Sequence, residues 1–390
     1  MRRTLGDLDV AGRRVLVRVD FNVPLAPDGA VLDDTRIRAT LPTIAALRGA
    51  GARVILVSHL GRPEGQRVPT YSLKPVAEQL ARLIGAPVAF AEDCVGESAR
   101  RAVSGLRDGD VALLENVRYY AGEEANDPAF ARDLAALAER YVNDAFGTAH
   151  RAHASTAGVA ALLPSAAGLL LEREIAALTA ALDRPRRPFV AIVGGSKIST
   201  KIGVLGNLLP RVDTLLIGGA MAFTMLKARG AAVGGSFVED DQLDVARAIL
   251  SDGGSKIILP VDAVGAERLV AGVATSIVDA DKVPDEIAGL DIGPRTIARW
   301  THVLRAAGTV LWNGPLGAYE VPPFDAGTRA VAQVLATTQA TTVIGGGDLV
   351  AAVEAAGVSS QMSHVSTGGG AALEFIEGRA LPGIAALEVN

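Results

Sequence analysis

Thiols are nearly absent: one cysteine in 390 residues, Cys94, leaves nothing for an internal disulfide and too few sulfurs for a thiolate zinc site, which suits a reducing compartment. Aromatics are scarce too, at 4%, so the 49% apolar content is largely aliphatic, a globular composition long enough for two domains and neither disordered nor fibrous. There is no excess of positive charge. With 38 Lys and Arg against 43 Asp and Glu the net charge is −5, which argues against nucleic acid or a membrane surface as the main partner. No stretch approaches the roughly 18 to 20 apolar residues of a membrane span, and MRRTLGDLDV lacks the apolar core of a secretory leader, so a cytoplasmic protein is expected. The common phosphate-binding signatures are missing as well. G-x-x-x-x-G-K-[ST] does not occur, and GGSKISTK differs from it in glycine spacing and lysine position. No clear G-x-G-x-x-G turn followed by an acidic residue opens the first βαβ unit, which weakens a dinucleotide reading and leaves a mononucleotide.

What is present centres on TTVIGGGDLVAAVEAAG, residues 341–357. A β-branched run delivers the chain through Gly345, Gly346 and Gly347 into an alanine-rich amphipathic segment that begins at Asp348. That predicts a buried strand, a glycine turn and a helix, whose first amides are unpaired donors at the positive end of a dipole. An anion is the natural guest of such a turn. Asp348 is a hard oxygen donor suited to Mg²⁺ when nucleotide phosphates complete the shell, and equally an ordinary helix cap.

The first half alternates strands and helices. RVLVRVD reads as a strand, Ile37, Leu41, Ile44 and Leu47 recur at helical spacing, and Val54 to Val57 forms the next strand. Further helices are expected over 73–84, near 97–104 and over 128–140, with strands at 87–90 and 111–114. This order predicts a parallel sheet covered on both faces. The polar residues gather just after strands, where open α/β sheets bind ligands. Asp20 and Asn22, His59 and Arg62, Arg118, and His150, Arg151 and His153 all lie there, with Arg36 near a helix start. Four arginines on one edge suit a bidentate clamp on phosphate or carboxylate.

Residues 168–188, GLLLEREIAALTAALDRPRRP, read as a connecting helix at a domain boundary. Beyond it glycine turns recur after strands: Gly194-Gly195, Gly218-Gly219, Gly293-Pro294, Asn313-Gly314, the triplet at 345–347 and Gly368 to Gly370. The pattern predicts several helix N-termini around one crevice. Lys197 and Lys201, four apart, are expected on one helix face, where two ammonium groups would neutralise a transferring phosphoryl group.

Ten ordered segments resemble the phosphoglycerate kinase family over essentially the whole chain: RVDFNVPL, TRIRATLPTI, SHLGRP, LLENVRYY, DAFGTAHRAHAS, GGSKISTK, LDIGP, LWNGPLGAYE, GGGD and SHVSTGGGA. The resemblance implies two doubly wound parallel-sheet, Rossmann-like domains joined by a helical hinge. Residues 1–170 would bind phosphoglycerate, 171–187 form the linking helix, 188–374 bind nucleotide, and 375–390 return to the first domain. It implies a phosphotransferase with a carboxyl acceptor, carrying a phosphoryl group between 1,3-bisphosphoglycerate and MgADP to give 3-phosphoglycerate and MgATP, in line and after hinge closure. A monomer without nucleic-acid or membrane partners is expected. By motif, Asp20, Phe21, Asn22, Arg36, His59, Leu60, Gly61, Arg62, Arg118 and Arg151 would bind the acidic substrate, and Arg36, Lys197 and Lys201 would act in transfer. Lys201, Gly289, Glu320, Gly346, Gly347, Asp348 and Leu349 would bind the nucleotide, with Asp348 on the metal. A hinge pair of Glu174 and His364 is also implied. One departure stands out: Leu349 takes the place of the family's usual Thr or Ser, removing a hydroxyl expected to serve a phosphate. Two rivals remain in outline, a kinase of another small carboxylate and a nucleotide-binding protein without turnover.

Overall fold

The computed structural model describes residues 3–388. The chain divides into two compact units, Met1–Ile175 with Ala380–Asn390, and Ala176–Arg379. The first is built on β1 (Arg14–Arg18), β2 (Arg53–Val57), β3 (Val88–Ala91), β4 (Val111–Leu114), β5 (Arg140–Asn143) and β6 (Ser165–Ala167), in the order β3-β4-β2-β1-β5-β6. Every pairing in this sheet is parallel, and Arg18 lies level with Val57 on one side and Asn143 on the other. Strands buried on both faces carry continuous apolar runs, as VLV in β1 and VILV in β2 do, and both contribute to one aliphatic core with Ile37, Ile44 and Leu47 of the helix Thr35–Gly49. The chain leaves β1 toward β2 and returns on its other side as β5, so the strand order reverses at β1 and opens a crevice beyond its carboxyl end.

The second unit holds β7 (Phe189–Val193), β8 (Thr214–Ile217), β9 (Ala232–Val233), β10 (Ile257–Ile258), β11 (Asp262–Ala266), β12 (Ser276–Asp279), β13 (Lys282–Val283), β14 (Ala288–Ile292), β15 (Thr309–Asn313), β16 (Thr341–Gly345) and β17 (His364–Val365). Its main sheet runs β10-β8-β7-β15-β16-β17, again wholly parallel, with the switch between β7 and β15. Trp300, Trp312, Ile344 and Leu349 are buried in its core. Both main sheets are the parallel α/β architecture expected. The second unit adds something the pattern did not announce: an antiparallel sheet, β12-β11-β14, and the short pair β13-β9.

Three local expectations are corrected. The helix placed over 128–140 ends at Ala135, and Arg140 already begins β5, because two tight turns at Leu137 and Ala138 close the helix first. Lys197 and Lys201 are not on a helix: Lys197 lies in a loop, and Lys201 is the residue before the helix Ile202–Leu208. The turn at Gly314 does not lead directly into a helix either, since the next helix begins at Ala326.

The helix Leu169–Asp183 joins the units, which divide within it after Ile175. Asp144, just after β5, accepts from Leu170 N at 2.9 Å and satisfies part of this helix's first turn. The helix Gly370–Ile376 still belongs to the second unit, where Asn207 Nδ2 donates to Ile376 O at 2.6 Å, and the return to the first begins at Ala380. There Gly383 N donates to Ala149 O at 2.8 Å and Asn143 Nδ2 to Gly383 O at 3.0 Å.

Candidate active site

In the first unit the predicted polar residues meet at the carboxyl ends of β1, β2, β4 and β5. Asp20 leaves β1 and accepts from Arg36 Nη1 at 3.1 Å. Asn22 Oδ1 accepts from Gly61 N at 2.9 Å, tying the turn after β1 to the turn after β2, and Gly61 O accepts from Arg118 Nη1 at 2.8 Å, tying that turn to the one after β4. Gly61 has φ +64° and would drive a Cβ to 2.4 Å from the Tyr71 ring, so both its conformation and its neighbour require glycine. Phe21 and Leu60 are buried in the aliphatic core, which leaves only their backbone to a ligand. Arg62 is exposed and enters none of these bonds. Arg151 Nε donates to His150 Nε2 at 3.1 Å.

Charge is concentrated here. Burial holds the Arg118 guanidinium below its usual pKa, and the neighbouring Arg18 and Arg151 add to this against the opposing Glu124. Glu124 Oε1 is 3.0 Å from Arg118 Nε, yet that buried nitrogen has no aligned hydrogen-bond acceptor, as suits a group that awaits an anion. His59 and His153 are both buried. Desolvation, then the surrounding arginines, pushes His59 far below its ordinary value and His153 down to about 3, so both imidazoles are neutral.

Two residues that organise this cluster were not anticipated, Arg18 and Glu123. Arg18 is fully buried at the end of β1, donating Nε to Ser155 Oγ at 2.7 Å, Nη1 to Val19 O, and Nη2 to His59 Nδ1 at 3.1 Å. Ser155 Oγ donates in turn to the fully buried Glu123 Oε1 at 2.6 Å. An arginine inside the apolar run RVLVR is a legible signal, because a central strand buries no unpaired charge. Glu123 carries none, since glutamate in a short helix is ordinarily solvated.

In the second unit Lys201 Nζ donates to Asn313 Oδ1 at 2.6 Å, and Asn313 Nδ2 donates to Gly345 O at 2.8 Å, so the ends of β15 and β16 hold the ammonium in place. Burial lowers the Lys201 pKa while Asp348 and Glu377 oppose the shift, which places Asp348 within electrostatic reach. Tyr319 is raised by burial and then by Asp348 and Glu320, drawing these side chains into one neighbourhood. Lys197 and Glu320 are exposed. Gly346, with φ +107°, precedes the helix Gly347–Ala355, whose first turn carries the exposed Asp348.

Several of the glycines serve a different end from the one expected. Gly194 N donates to Asn313 O, Gly195 N to Pro315 O and Gly219 N to Leu316 O, at 2.8, 2.9 and 3.0 Å. These turns pack backbone on backbone, and their amides are spent within the protein. At these three positions no amide is left for an anion. Gly289 permits packing too, because a Cβ there would lie 2.0 Å from Phe223 Cζ. The Leu349 side chain is fully buried in the core cluster that also holds Trp312, Ile344 and Val353. Among the described residues no three His, Cys, Asp or Glu side chains gather to hold a metal, and no helix is long and apolar enough to cross a membrane.

Two parallel α/β units, one with a basic cluster and one with a lysine after β7 and a glycine turn and an aspartate after β16, carry the parts that a phosphotransferase needs. The family model for phosphoglycerate kinase matches residues 5–379, and the chain belongs to that family. It is 55% identical over 389 residues to phosphoglycerate kinase of Pelotomaculum thermopropionicum, covering 99% of both chains. A relative of Arabidopsis thaliana named phosphoglycerate kinase 3, cytosolic, is 53% identical over 392 residues, with 99% and 98% covered. The solved phosphoglycerate kinase of Coxiella burnetii superposes with a TM-score of 0.91 at 41% identity, covering 99% of each chain.

Proposed function

We propose that the chain moves the acyl phosphoryl group of 1,3-bisphosphoglycerate to the terminal phosphate oxygen of ADP, releasing 3-phosphoglycerate as the carboxylate, and runs the reverse with ATP. Support comes from one observation above the rest: the hydrogen bonds Arg36 to Asp20, Gly61 to Asn22 and Arg118 to Gly61 tie the turns after β1, β2 and β4 together and set the Arg36 and Arg118 guanidinium groups among them. A doubly charged phosphoglycerate is the chemistry such a cluster fits.

In this proposal Asn22, Arg36, His59, Arg62, Arg118 and Arg151 bind the acidic substrate, with Asp20 orienting Arg36. Phe21, Leu60 and Gly61 contribute backbone. Neutral His59 and His153 offer hydrogen bonds and take no part as acids. No general base is needed, since the attacking carboxylate or phosphate oxygen is already ionised. Lys201, Lys197 and Arg36 stabilise charge on the equatorial oxygens of the transferring group. The amides of Gly346, Gly347, Asp348 and Leu349 cradle nucleotide phosphates, while Gly289 borders the base and Glu320 the ribose. Asp348 is an exposed hard-oxygen donor, and among the described residues it belongs to no group of three His, Cys, Asp or Glu side chains, so it fits Mg²⁺ only when phosphate oxygens and water fill the remaining positions. When bound, that ion neutralises phosphate charge. Substrates carried on separate units must meet for in-line transfer, so closure about the helix Leu169–Asp183 belongs to the proposal. A cytoplasmic monomer is the proposed form.

A coupled assay with 3-phosphoglycerate and MgATP decides the matter. Turnover is expected, and a folded protein that binds nucleotide without turnover would leave a binding module instead.

A further inference from the structure

Beneath the basic cluster of the first unit runs a continuous buried relay that ends on a carboxylate no ligand can reach. Glu123 is fully buried. Its Oε2 accepts from Ser155 N at 2.9 Å and its Oε1 from Ser155 Oγ at 2.6 Å. Because the Ser155 hydroxyl gives its only proton to Glu123, its lone pairs face Arg18 Nε, which donates to it at 2.7 Å. The Arg18 fork is thereby fixed in plane, and its outer nitrogen Nη2 donates to His59 Nδ1 at 3.1 Å. Guanidinium nitrogen carries only donors, so Nδ1 must be the acceptor and the proton of this neutral ring must sit on Nε2. Tyr141 braces the relay from β5, its hydroxyl donating to Ser155 O at 2.8 Å. His153 Nδ1 stands 3.7 Å from Glu123 Oε1, but as a neutral imidazole it supplies no counter-charge; burial raises the Glu123 carboxyl, and Arg18, the Ser155 hydrogen bonds and Arg118 act against that shift.

We propose that Glu123 is a positioning residue for substrate binding: through Ser155 and Arg18 it fixes the tautomer of His59, so that the ring meets the acidic substrate with an Nε2–H donor. This rests on the functional reading above, in which His59 belongs to the phosphoglycerate site. Lone pairs on Nε2 would repel a phosphate or carboxylate oxygen, whereas a proton there attracts one. A buried glutamate with its serine therefore acts on a substrate that neither of them touches.

Nitrogen NMR of the His59 ring in the full-length wild-type protein, without substrate, tests the inference directly. Protonated Nε2 with bare Nδ1 is expected, and a ring protonated on Nδ1 overturns the proposal with no variant needed. Ser155→Ala then breaks the relay while leaving Glu123 in place. Mixed His59 tautomers are expected, with KM for 3-phosphoglycerate raised about tenfold, one hydrogen bond to an anion, and with kcat and the KM for MgATP within about twofold. Glu123→Gln should give the same split if it folds. A folded Ser155→Ala variant with unchanged ring shifts and unchanged KM overturns the proposal, and so does a loss of kcat that spares KM. Should the wild type fail to phosphorylate 3-phosphoglycerate, the functional reading falls, while the ring tautomer still decides the relay.

Discussion

Asn313 anchors Lys201: its Oδ1 accepts a hydrogen bond from the ammonium at 2.6 Å while its own amide nitrogen donates to Gly345 O at 2.8 Å, so two neighbouring strand ends aim one cation. Burial lowers the Lys201 pKa while Asp348 opposes the shift, and an ammonium held short of water is in the condition under which it stabilises a transition state most. Lys201→Ala should lower kcat by roughly a hundredfold or more without unfolding the protein, and Asn313→Ala, which only loosens the lysine, by about tenfold. Steady-state kinetics beside circular dichroism checks both. A near-normal rate for Lys201→Ala removes this lysine from the chemistry.

Leu349 turns an expectation around. The sequence departure suggested a missing hydroxyl at the phosphate, whereas the side chain is fully buried in the core that also holds Trp312 and Val353. Leu349→Ser should thus cost about 3 kcal/mol of stability, as other buried leucine truncations do, and leave nucleotide affinity nearly unchanged. Urea unfolding and nucleotide titration on one preparation separate the two. Tighter nucleotide binding with little loss of stability would restore the hydroxyl argument.

How much was legible follows from what each pattern encodes. Runs such as FVAIV and TTVI that end in glycine mark both a central strand and its carboxyl end, so the two parallel sheets and the edge carrying Asp20, His59 and Arg118 could be read directly. The antiparallel sheet could not, because β11 and β14 interrupt themselves with Gly265 and Gly289 and show no clean alternation. Periodicity assigns a face and never a partner, so Lys197 and Lys201 looked like helix neighbours, and Asn313 passed as part of a motif. Arg18 was overlooked as strand filler. Glu123 could not have been found, since its hydrogen-bond partner Ser155 lies 32 residues later.

Backbone crowding at the second unit's switch point makes a sharp contrast between two glycines. A Cβ on Gly194 would stand 2.1 Å from Pro315 O and 2.6 Å from Gly314 O, both main-chain atoms that cannot step aside. On Gly206, inside the helix Ile202–Leu208, it would meet nothing within 4 Å. Gly194→Ala should destabilise by about 3 kcal/mol. Gly206→Ala should stabilise by roughly 0.5 to 1 kcal/mol through helix propensity. Thermal unfolding of the pair is the measurement, and equal shifts would contradict the packing described.

Asp144 gives stability a pH dependence with a definite sign. Burial raises its carboxyl to about 7 against the hydrogen bonds from Leu170 and Leu171 that favour the anion, and Asp291 in the second unit is raised likewise to about 7. Unfolded, an aspartate titrates near about 3.9, so between roughly pH 4 and 7 the folded chain holds a proton that the unfolded chain has lost. Stability from these groups is therefore present at low pH and drains away as pH rises through 7. His59 and His153, held neutral when folded, act oppositely, since below about pH 6.5 the unfolded chain takes up their protons first. A wild-type profile mixes the two, and a difference profile separates them. Asp144→Asn keeps the Oδ1 acceptor for Leu170 and carries no charge, so it should match wild type near pH 4.5 and gain on it by a few kcal/mol at pH 8. Urea unfolding at both pH values supplies the comparison, and a difference that stays flat with pH would mean that Asp144 ionises in the folded chain as readily as in the unfolded one.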